Sequence, residues 1–337
     1  MTASSPRFLV ALIGHGAIGS RVAAGLRAAS DFEVVGVVTR RGSAGIPDLP
    51  TLTIAEACAQ ADLVVECAGG DAVREHAERI LESGVDLLIS SIGALADPHL
   101  RNALLGDTPH RSRQIDGIGP RRGQHGADIS PTRQHTAPAP KAQPKAQPKA
   151  PSKAPSKARP EAPSRAPSSQ PGSPVTRDPR GVLYLTAGAI GGLDLLGAAA
   201  CDGGLTSASL TSTKTASTLV QPWMDAAASA SLRAATAPVT VFRGTVAEAA
   251  RLFPSSLNVA AALAHATGLW DELTVTLIGD PATPHTTHHI TADGPSGSYR
   301  FEIANHPLPD NPASSGLVSA ALLRDIRAIA HPHGTFA

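Results

Sequence analysis

The chain has 337 residues, a formal net charge of +1, and 42% hydrophobic but only 3% aromatic residues. This length suffices for two modest domains, whose cores must be built from Ala, Val, Leu and Ile. The sequence shows no apolar run near the roughly 18 residues of a membrane span and no cationic start typical of a signal peptide, so we expect no membrane partner. Three scattered cysteines without CxxC spacing indicate a reduced, cytoplasmic setting.

Strand and helix patterns alternate over the first 108 residues. The apolar runs FLVALIG, FEVVGVVT, DLVVECAG and DLLISS predict strands. Helical spacing separates them in AIGSRVAAGLRAA, IAEACAQ and DAVREHAERILESG. Strands that are apolar on both faces, with helices between them, indicate a parallel sheet covered on both sides. The sequence therefore predicts an α/β fold whose first part, residues 1–108, is a Rossmann-type domain.

A glycine motif, GHGAIG, follows the first strand and opens the first helix, which places Gly14, Gly16 and Gly19 in the GxGxxG pattern. The first glycine permits a tight turn, the second lets the backbone approach a pyrophosphate, and the third lets the helix pack closely on the sheet. The helix start then offers N–H groups to the phosphates. We predict a dinucleotide site that includes Ala17 and Ile18; a glycine-rich turn that binds nothing is the alternative.

The second strand ends in Thr39-Arg40-Arg41, where a strict NAD site would carry Asp or Glu. An acid there would repel the 2′-phosphate of NADP, whereas an arginine can hold it. Arg40 is therefore a predicted cofactor residue, and the cofactor is NAD or NADP, with NADP accepted. Surface arginines without such a role are the alternative. Cys67 and Ala68 end the third strand and are predicted to lie at the same site.

Residues 109–180 form a basic, proline-rich insertion that contains KAQPKAQPKAPSKAPSKARPEAPSRAPS. Positions 111–180 hold 14 of the 29 prolines, 14 Lys and Arg against 4 Asp and Glu, and no Leu, Phe, Trp or Tyr. Such a tract cannot bury enough apolar area to offset its ordering entropy, so we predict disorder. It is either without function or a polycationic tether for an acidic partner or a nucleic acid. The rest of the chain is acidic, and no nucleic-acid partner is expected for it.

The second half changes pattern. LTSASLTSTK, VTVFRG, ELTVTLIG, HHITAD and SYRFEI predict strands, and GVLYLTAGAIGG predicts a strand that enters a glycine-rich turn. Thr245 and Glu248 have capping-box spacing, and Asn258 is the expected N-cap of a further helix. We predict an α+β domain with a largely antiparallel sheet over residues 181–308. In residues 309–337, SSGLVSAALLRDIRAIA predicts a helix that packs back toward the Rossmann domain.

Three histidines, His285, His288 and His289, lie within five residues of each other. Neighbouring residues of a strand point to opposite faces, so His288 and His289 cannot share a metal ion, and no metal site is predicted. His288 shares a face with Ile290 and Ala292 and should point to the interior. It is the candidate catalytic base, with a pKa expected near neutrality, and the other two are bystanders.

Several segments resemble, in order, those of the L-aspartate dehydrogenase family: IGHGAIGS, VVECAGGDAVREHA, SSIGALAD, AGAIGGLD, GTVAEAARLFPSSLNVAAALA, IGDPATPHTTHH and LPDNPASSGLVSAALLR. They cover most of the chain except the insertion, which the family generally lacks. The resemblance implies oxidation of L-aspartate by NAD or NADP to iminoaspartate, which hydrolyses to oxaloacetate and ammonia and can feed NAD biosynthesis. It also implies a homoserine-dehydrogenase-like architecture and a homodimer.

Matched motif by motif, the resemblance implies that His288 is catalytic and that Ala189 and Asn258 contact the cofactor. Lysines that relatives carry near the site are replaced here, for example by Ala313. A site for a dicarboxylate must neutralise its charge, and Lys214 is the surviving cation predicted to bind the substrate, ahead of Arg233 and Arg243. Two alternatives stay open: a related oxidoreductase acting on another small amino or hydroxy acid, and a non-catalytic dinucleotide-binding protein with a basic interaction arm.

Overall fold

The computed structural model describes residues 6–40, 45–106, 113–114, 180–308 and 311–332. Arg41, the side chain of Ala313 and nearly all of the predicted disordered insertion lie outside the described residues. The division of the chain into domains at 108, 180 and 308 stays a prediction.

Six parallel strands of the described chain form the first sheet: β1 (Phe8–Ile13), β2 (Phe32–Val38), β3 (Leu63–Glu66), β4 (Asp86–Ile89), β5 (Arg113–Gln114) and β6 (Leu183–Leu185). Their spatial order is β2-β1-β3-β4-β6-β5. The inner strands are buried on both faces, as their continuous apolar sequences predict. The Rossmann-like parallel sheet is thus confirmed.

Helices connect these strands: α1 (Ala17–Arg27), α2 (Ile54–Gln60), α3 (Gly70–Glu82), α4 (Pro98–Leu105) and a 3-10 helix (Ile92–Ala96). Nearby side chains cap the N-termini of α2 and α4. Thr53 and Glu56 form a capping box on α2, and Asp97 accepts the first free N–H groups of α4. No described side chain caps α1, which begins directly after Gly16.

The second sheet contains, within the described residues, β7 (Ser207–Lys214), β8 (Val239–Gly244), β9 (Thr274–Gly279), β10 (Thr286–Gly294) and β11 (Gly297–Asn305), in the order β11-β10-β7-β9-β8. All neighbours are antiparallel except β7 and β9, so the largely antiparallel sheet is confirmed. Its connecting helices are α5 (Leu193–Cys201), α6 (Ala226–Arg233), α7 (Val246–Leu252), α8 (Asn258–Thr267) and two 3-10 helices (Ala216–Leu219, Pro254–Ser256). The capping box of Thr245 and Glu248 on α7 is present as expected.

The chain ends in a small pair of strands, β12 (Pro307–Leu308) and β13 (Asn311–Ser315), and in helix α9 (Leu317–Ala330). Helix α9 contacts α1, where Gly25 leaves room for Leu323. Its residues Leu322 and Ile326 are fully buried in the apolar cluster below β1 and β2. No helix of the described residues is both long and apolar enough to cross a membrane.

Strand β6 belongs to the parallel sheet, where it pairs with β4. The sequence pattern predicts this segment at the start of the second, antiparallel part, which is wrong. The strand has only three residues, which is too short for its sequence pattern to indicate which sheet it joins. Because β6 leads straight into the turn at Ala189, it brings that turn to the carboxyl edge of the nucleotide-binding sheet.

Candidate active site

A cleft of about 1000 Å³ opens at the carboxyl ends of β1, β2 and β3. This is where a doubly wound sheet binds its ligand. The predicted cofactor residues that line it are Gly14, Gly16, Arg40, Cys67 and Ala68.

The glycines of the first turn shape this cleft for a phosphate group. Gly14 has φ +94°, and a Cβ there would stand 2.9 Å from the Cα of Ala68. A Cβ on Gly19 would collide with the carbonyl oxygen of Gly14. A Cβ on Gly16 would meet no atom within 4 Å, so this glycine leaves the space before uncapped helix α1 open. Free N–H groups at a helix start beside open space fit a dinucleotide pyrophosphate.

A second cavity of about 310 Å³ continues from this cleft toward the antiparallel half. Arg40, which is exposed, lines both spaces. Gly69, Ser91 and Asn258 line the second one, which we call the connecting cavity. Asn258 also lines a third space, so each of the three spaces shares a lining residue with the next.

That third space is a pocket of about 110 Å³, which we call the inner pocket. The structure brings five predicted site residues together here: Ile18, Ala189, Lys214, Asn258 and His288. They come from α1, the turn after β6, β7, α8 and β10. Sequence reasoning had assigned three of them to the cofactor, one to the substrate and one to catalysis.

Two neighbouring strands, β7 and β10, carry the polar side chains into this pocket. Ser212 lies directly opposite His288 in their antiparallel register, and Leu210 lies opposite Ile290. The buried positions of β7 alternate with more exposed ones and end at Lys214. Side chains at every second position of a strand share a face. The face that carries Leu210 and Ile290 in the apolar core therefore also carries Ser212, His288 and Lys214 further along these strands.

His288 is buried, and its Nδ1 lies 2.8 Å from the Oγ of Ser212. That contact leaves Nε2 as the ring nitrogen available to the inner pocket. Burial, and next the positive charge of Lys214, lower the pKa of His288 to about 4. The expectation of a near-neutral pKa is therefore wrong for the free protein, because the sequence does not reveal how far the ring is removed from water.

The other two histidines point elsewhere. His289 is exposed on the opposite face, 4.0 Å from a carboxylate oxygen of Glu302. His285 packs against His306 with ring centroids 4.4 Å apart. Within the described part of the chain, no three His, Cys, Asp or Glu side chains come together as metal ligands would.

Lys214 is a buried cation, only 8% exposed. Its Nζ donates a 3.1 Å hydrogen bond to the Oγ of Ser256, and burial lowers its pKa to about 8. No carboxylate among the described residues pairs with it. A buried charge without a counter-charge is costly, so the inner pocket favours an anionic ligand.

Asn258 does not cap α8 as the sequence had suggested. It is the first residue of the helix, and its Oδ1 accepts a 3.0 Å hydrogen bond from the backbone N–H of Gly93. A Cβ on Gly93 would stand 3.0 Å from that oxygen, so glycine permits the close approach. A tertiary contact therefore replaces the local cap and ties α8 to the loop after β4.

Ala189 is held by a contact from the second sheet. Its carbonyl oxygen accepts a 2.7 Å hydrogen bond from the Nδ2 of buried Asn305. Earlier in the same turn, the Oγ1 of Thr186 accepts a 3.1 Å hydrogen bond from the N–H of Gly188. These bonds fix the turn that forms one wall of the inner pocket.

Two family models and several known proteins match this chain. A family model described as the C-terminal part of aspartate dehydrogenase matches residues 194–329, and one for the NAD-binding domain of homoserine dehydrogenase matches residues 14–115. The chain is 31% identical to an L-aspartate dehydrogenase of Ruegeria pomeroyi over 95% of this chain and 92% of that one. The chain belongs to the L-aspartate dehydrogenase family. The resemblance read from the motifs is confirmed.

Further aspartate dehydrogenases give the same result. The enzyme of Ralstonia pickettii is 30% identical over 96% of this chain and 97% of its own. The crystal structure of aspartate dehydrogenase from Thermotoga maritima matches with a TM-score of 0.56 at 21% identity, covering 96% of this chain and 97% of that one. At that identity the likeness shows a common fold.

Sequence reasoning missed three polar residues that lie in the candidate site or hold its residues in place: Glu66, Ser212 and Ser256. Ser212 could have been found, because it lies two positions before Lys214 on an alternating strand. Glu66 also left a signal, since an acid ends an otherwise apolar strand. For Ser256 the family resemblance gave a signal, because Ser255-Ser256 stand where many relatives carry Lys-Asn. Its contact with Lys214 was not predictable, since it joins elements 42 positions apart.

The burial of His288 should make stability depend on pH. Its pKa is about 4 in the folded chain against 6.5 unfolded, so the unfolded chain binds more protons between these values. Stability from neutral His288 is thus present above pH 6.5 and lost as the pH falls toward 4. The free energy of unfolding, measured with urea, should fall more steeply over this pH range for wild type than for His288→Gln. His289→Gln should keep the wild-type slope, and equal slopes in all three proteins would contradict the idea.

Proposed function

We propose that the protein oxidises L-aspartate with a pyridine nucleotide, giving iminoaspartate that hydrolyses to oxaloacetate and ammonia. One observation carries this proposal: the buried cation of Lys214, unpaired by any described carboxylate, shares a pocket with His288 at the end of a dinucleotide cleft. A bound carboxylate would relieve the cost of that buried charge. Membership of the aspartate dehydrogenase family supports the same substrate.

The inner pocket offers one cation and several hydroxyl groups for two carboxylates. Lys214 would hold one carboxylate by a charge-assisted hydrogen bond. Ser256, Thr286 and Ser315 also line the pocket and would donate hydroxyl hydrogens to the other. The amine at C2 would then face Nε2 of His288.

His288 would take a proton from the substrate amine. The nitrogen lone pair must be free to form the imine as the C2 hydrogen leaves, and the nicotinamide, when bound, supplies the hydride acceptor. A carboxylate on Lys214 would offset the charge that lowers the pKa of His288, so the substrate itself would make this base stronger. For Nε2 to take this proton, Nδ1 must carry the ring hydrogen, so the Ser212 hydroxyl accepts a hydrogen bond from Nδ1 both before and after His288 is protonated.

Either pyridine nucleotide can serve as cofactor in this proposal, with NADP accepted through Arg40. Arg40→Asp should lower kcat/KM for NADP by roughly 10- to 150-fold, because it removes a charged hydrogen bond to the 2′-phosphate, and should change kcat/KM for NAD only a few-fold. Steady-state kinetics with both nucleotides measure this. Arg79→Asp, the same charge change on the exposed side of α3, should keep the wild-type ratio. An unaltered ratio in Arg40→Asp would rule out the role.

The direct test of function is a spectrophotometric assay of reduced nucleotide formed from a panel of substrates. L-Aspartate should be oxidised, while D-aspartate, L-glutamate, L-alanine and L-malate should be turned over at least tenfold more slowly. Preference for another small acid would overturn the proposal in favour of a related oxidoreductase. No turnover of any acid, together with salt-sensitive partner binding lost on deletion of residues 111–180, would favour the non-catalytic alternative.

The homodimer and the cytoplasmic location are also proposed, and no nucleic-acid partner is proposed for the folded part of the chain. The family resemblance supports the dimer, which light scattering would test. The three cysteines are all free, which supports a reducing compartment.

A further inference from the structure

Glu66 is a buried acid that the proposed chemistry does not use. It ends β3 and is 1% exposed. Its Oε1 accepts hydrogen bonds from the N–H of Ala68 at 2.6 Å, the N–H of Gly69 at 2.7 Å and the hydroxyl of Ser91 at 3.0 Å. Its Oε2 accepts one from the N–H of Ser91 at 3.0 Å. One carboxylate thus binds the loops that follow two neighbouring strands.

No cation among the described residues pairs with Glu66. Burial raises its pKa, while the hydrogen bonds to Gly69, Ala68 and Ser91 oppose that rise. All four contacts bring a hydrogen toward the carboxylate, so they favour the ionised form and are charge-assisted. A neutral side chain would avoid the cost of burying a charge, but it could not accept all four donors.

The two loops that Glu66 joins line all three spaces of the candidate site. Ala68 lines the nucleotide cleft, Gly69 and Ser91 line the connecting cavity, and Ser90 and Ile92 line the inner pocket. The second loop is also held from the other side, since the N–H of Gly93 donates to Asn258. A shift of Glu66 would therefore move the cleft and the pocket together.

We propose that Glu66 is a positioning residue for nucleotide binding, acting through the loops Cys67–Gly69 and Ser90–Gly93 rather than by touching the substrate. The proposal rests on the use of a pyridine nucleotide, but not on L-aspartate as substrate. It also opposes the simplest electrostatic expectation. Removing a negative charge beside a phosphate site should tighten binding, whereas loss of the loop anchor should weaken it.

The test measures NADPH and NADH binding to the full-length protein by fluorescence titration, together with its melting temperature without nucleotide. Glu66→Gln keeps the size of the side chain but replaces one acceptor oxygen by an amide NH₂ that faces donors. We expect Kd to rise at least tenfold, while the melting temperature without nucleotide stays within a few degrees of wild type. At saturating nucleotide, kcat should recover, which a general loss of folded protein would not allow. Glu78→Gln, an exposed acid on α3, should bind as wild type does.

Unchanged or tighter binding by Glu66→Gln would overturn the proposal. If that variant does not fold, Ser91→Ala decides, since it removes one of the described bonds to Glu66 and no buried charge. A roughly three- to tenfold rise in Kd would then support the proposal, and an unchanged Kd would overturn it. Wild-type binding of NADPH with no oxidation of L-aspartate would contradict the proposed function alone, so the two failures are distinguishable.

Discussion

Replacing His288 by Ala is expected to lower the turnover of L-aspartate by roughly 10²- to 10⁴-fold while leaving nucleotide affinity nearly unchanged. The imidazole lines the inner pocket and not the cleft at Gly14 and Gly16, so its loss removes a proton acceptor without altering the phosphate site. Steady-state kinetics and NADPH titration together measure the two effects.

The neighbouring histidine provides a matched control. His289→Ala changes the same residue type at the next position, but its side chain is exposed on the far face of β10. It should keep turnover within a few-fold of wild type. Full activity in His288→Ala would exclude the residue as the base, and loss of nucleotide binding would show instead that the ring supports the fold of the site.

Replacing Lys214 by Met is expected to weaken L-aspartate binding and to stabilise the free protein. Loss of a hydrogen bond between charged groups costs about 1.5–3 kcal/mol, which corresponds to a roughly 10- to 150-fold higher KM. Without substrate, the change removes a buried cation that no described carboxylate neutralises. We expect about 1 kcal/mol more stability and a melting temperature roughly 2–4 °C higher.

The pH dependence of Lys214→Met gives a second readout. The folded pKa of Lys214 is about 8 against 10.5 unfolded, so its cost to folding is fully present below pH 8 and falls as the pH rises to 10.5. The stability gain of the variant should therefore shrink above pH 8. The ratio of the wild-type kcat/KM for L-aspartate to that of the variant should fall as the pH rises through 8, because Lys214 loses its positive charge in the substrate-free protein.

A second cation tests the specificity of this result. Arg243→Met removes an exposed charge of β8 and should leave both KM and melting temperature close to wild type. A lower melting temperature for Lys214→Met with unchanged KM would contradict the role of Lys214 as the substrate-binding cation. The same KM shift in Arg243→Met would move the carboxylate site elsewhere.

Several features of the fold and the site could be predicted from local sequence pattern alone. The apolar strands, the GxGxxG turn and the capping box at Thr245 follow from spacing over a few residues, and the structure contains all three. The inward direction of His288 follows from period-two alternation with Ile290. Such features depend on residues close in the chain, so the sequence pattern predicts them.

Other features needed the folded chain. The pKa of His288 depends on how deeply β7 and β10 are covered, and a cap that local rules favour at Asn258 gave way to Gly93, 165 positions earlier. Glu66 shows the same point, because its partner Ser91 lies 25 positions away, in the loop that follows the neighbouring strand β4.

What the sequence by itself determined is therefore the kind of fold, the phosphate-binding turn and the identity of the polar side chains. Tertiary structure decided which of those side chains meet, how far each is removed from water, and hence which charges stay unpaired. The physical reason is that periodicity and capping act between residues close in the chain, whereas desolvation and ion pairing act between groups close in space.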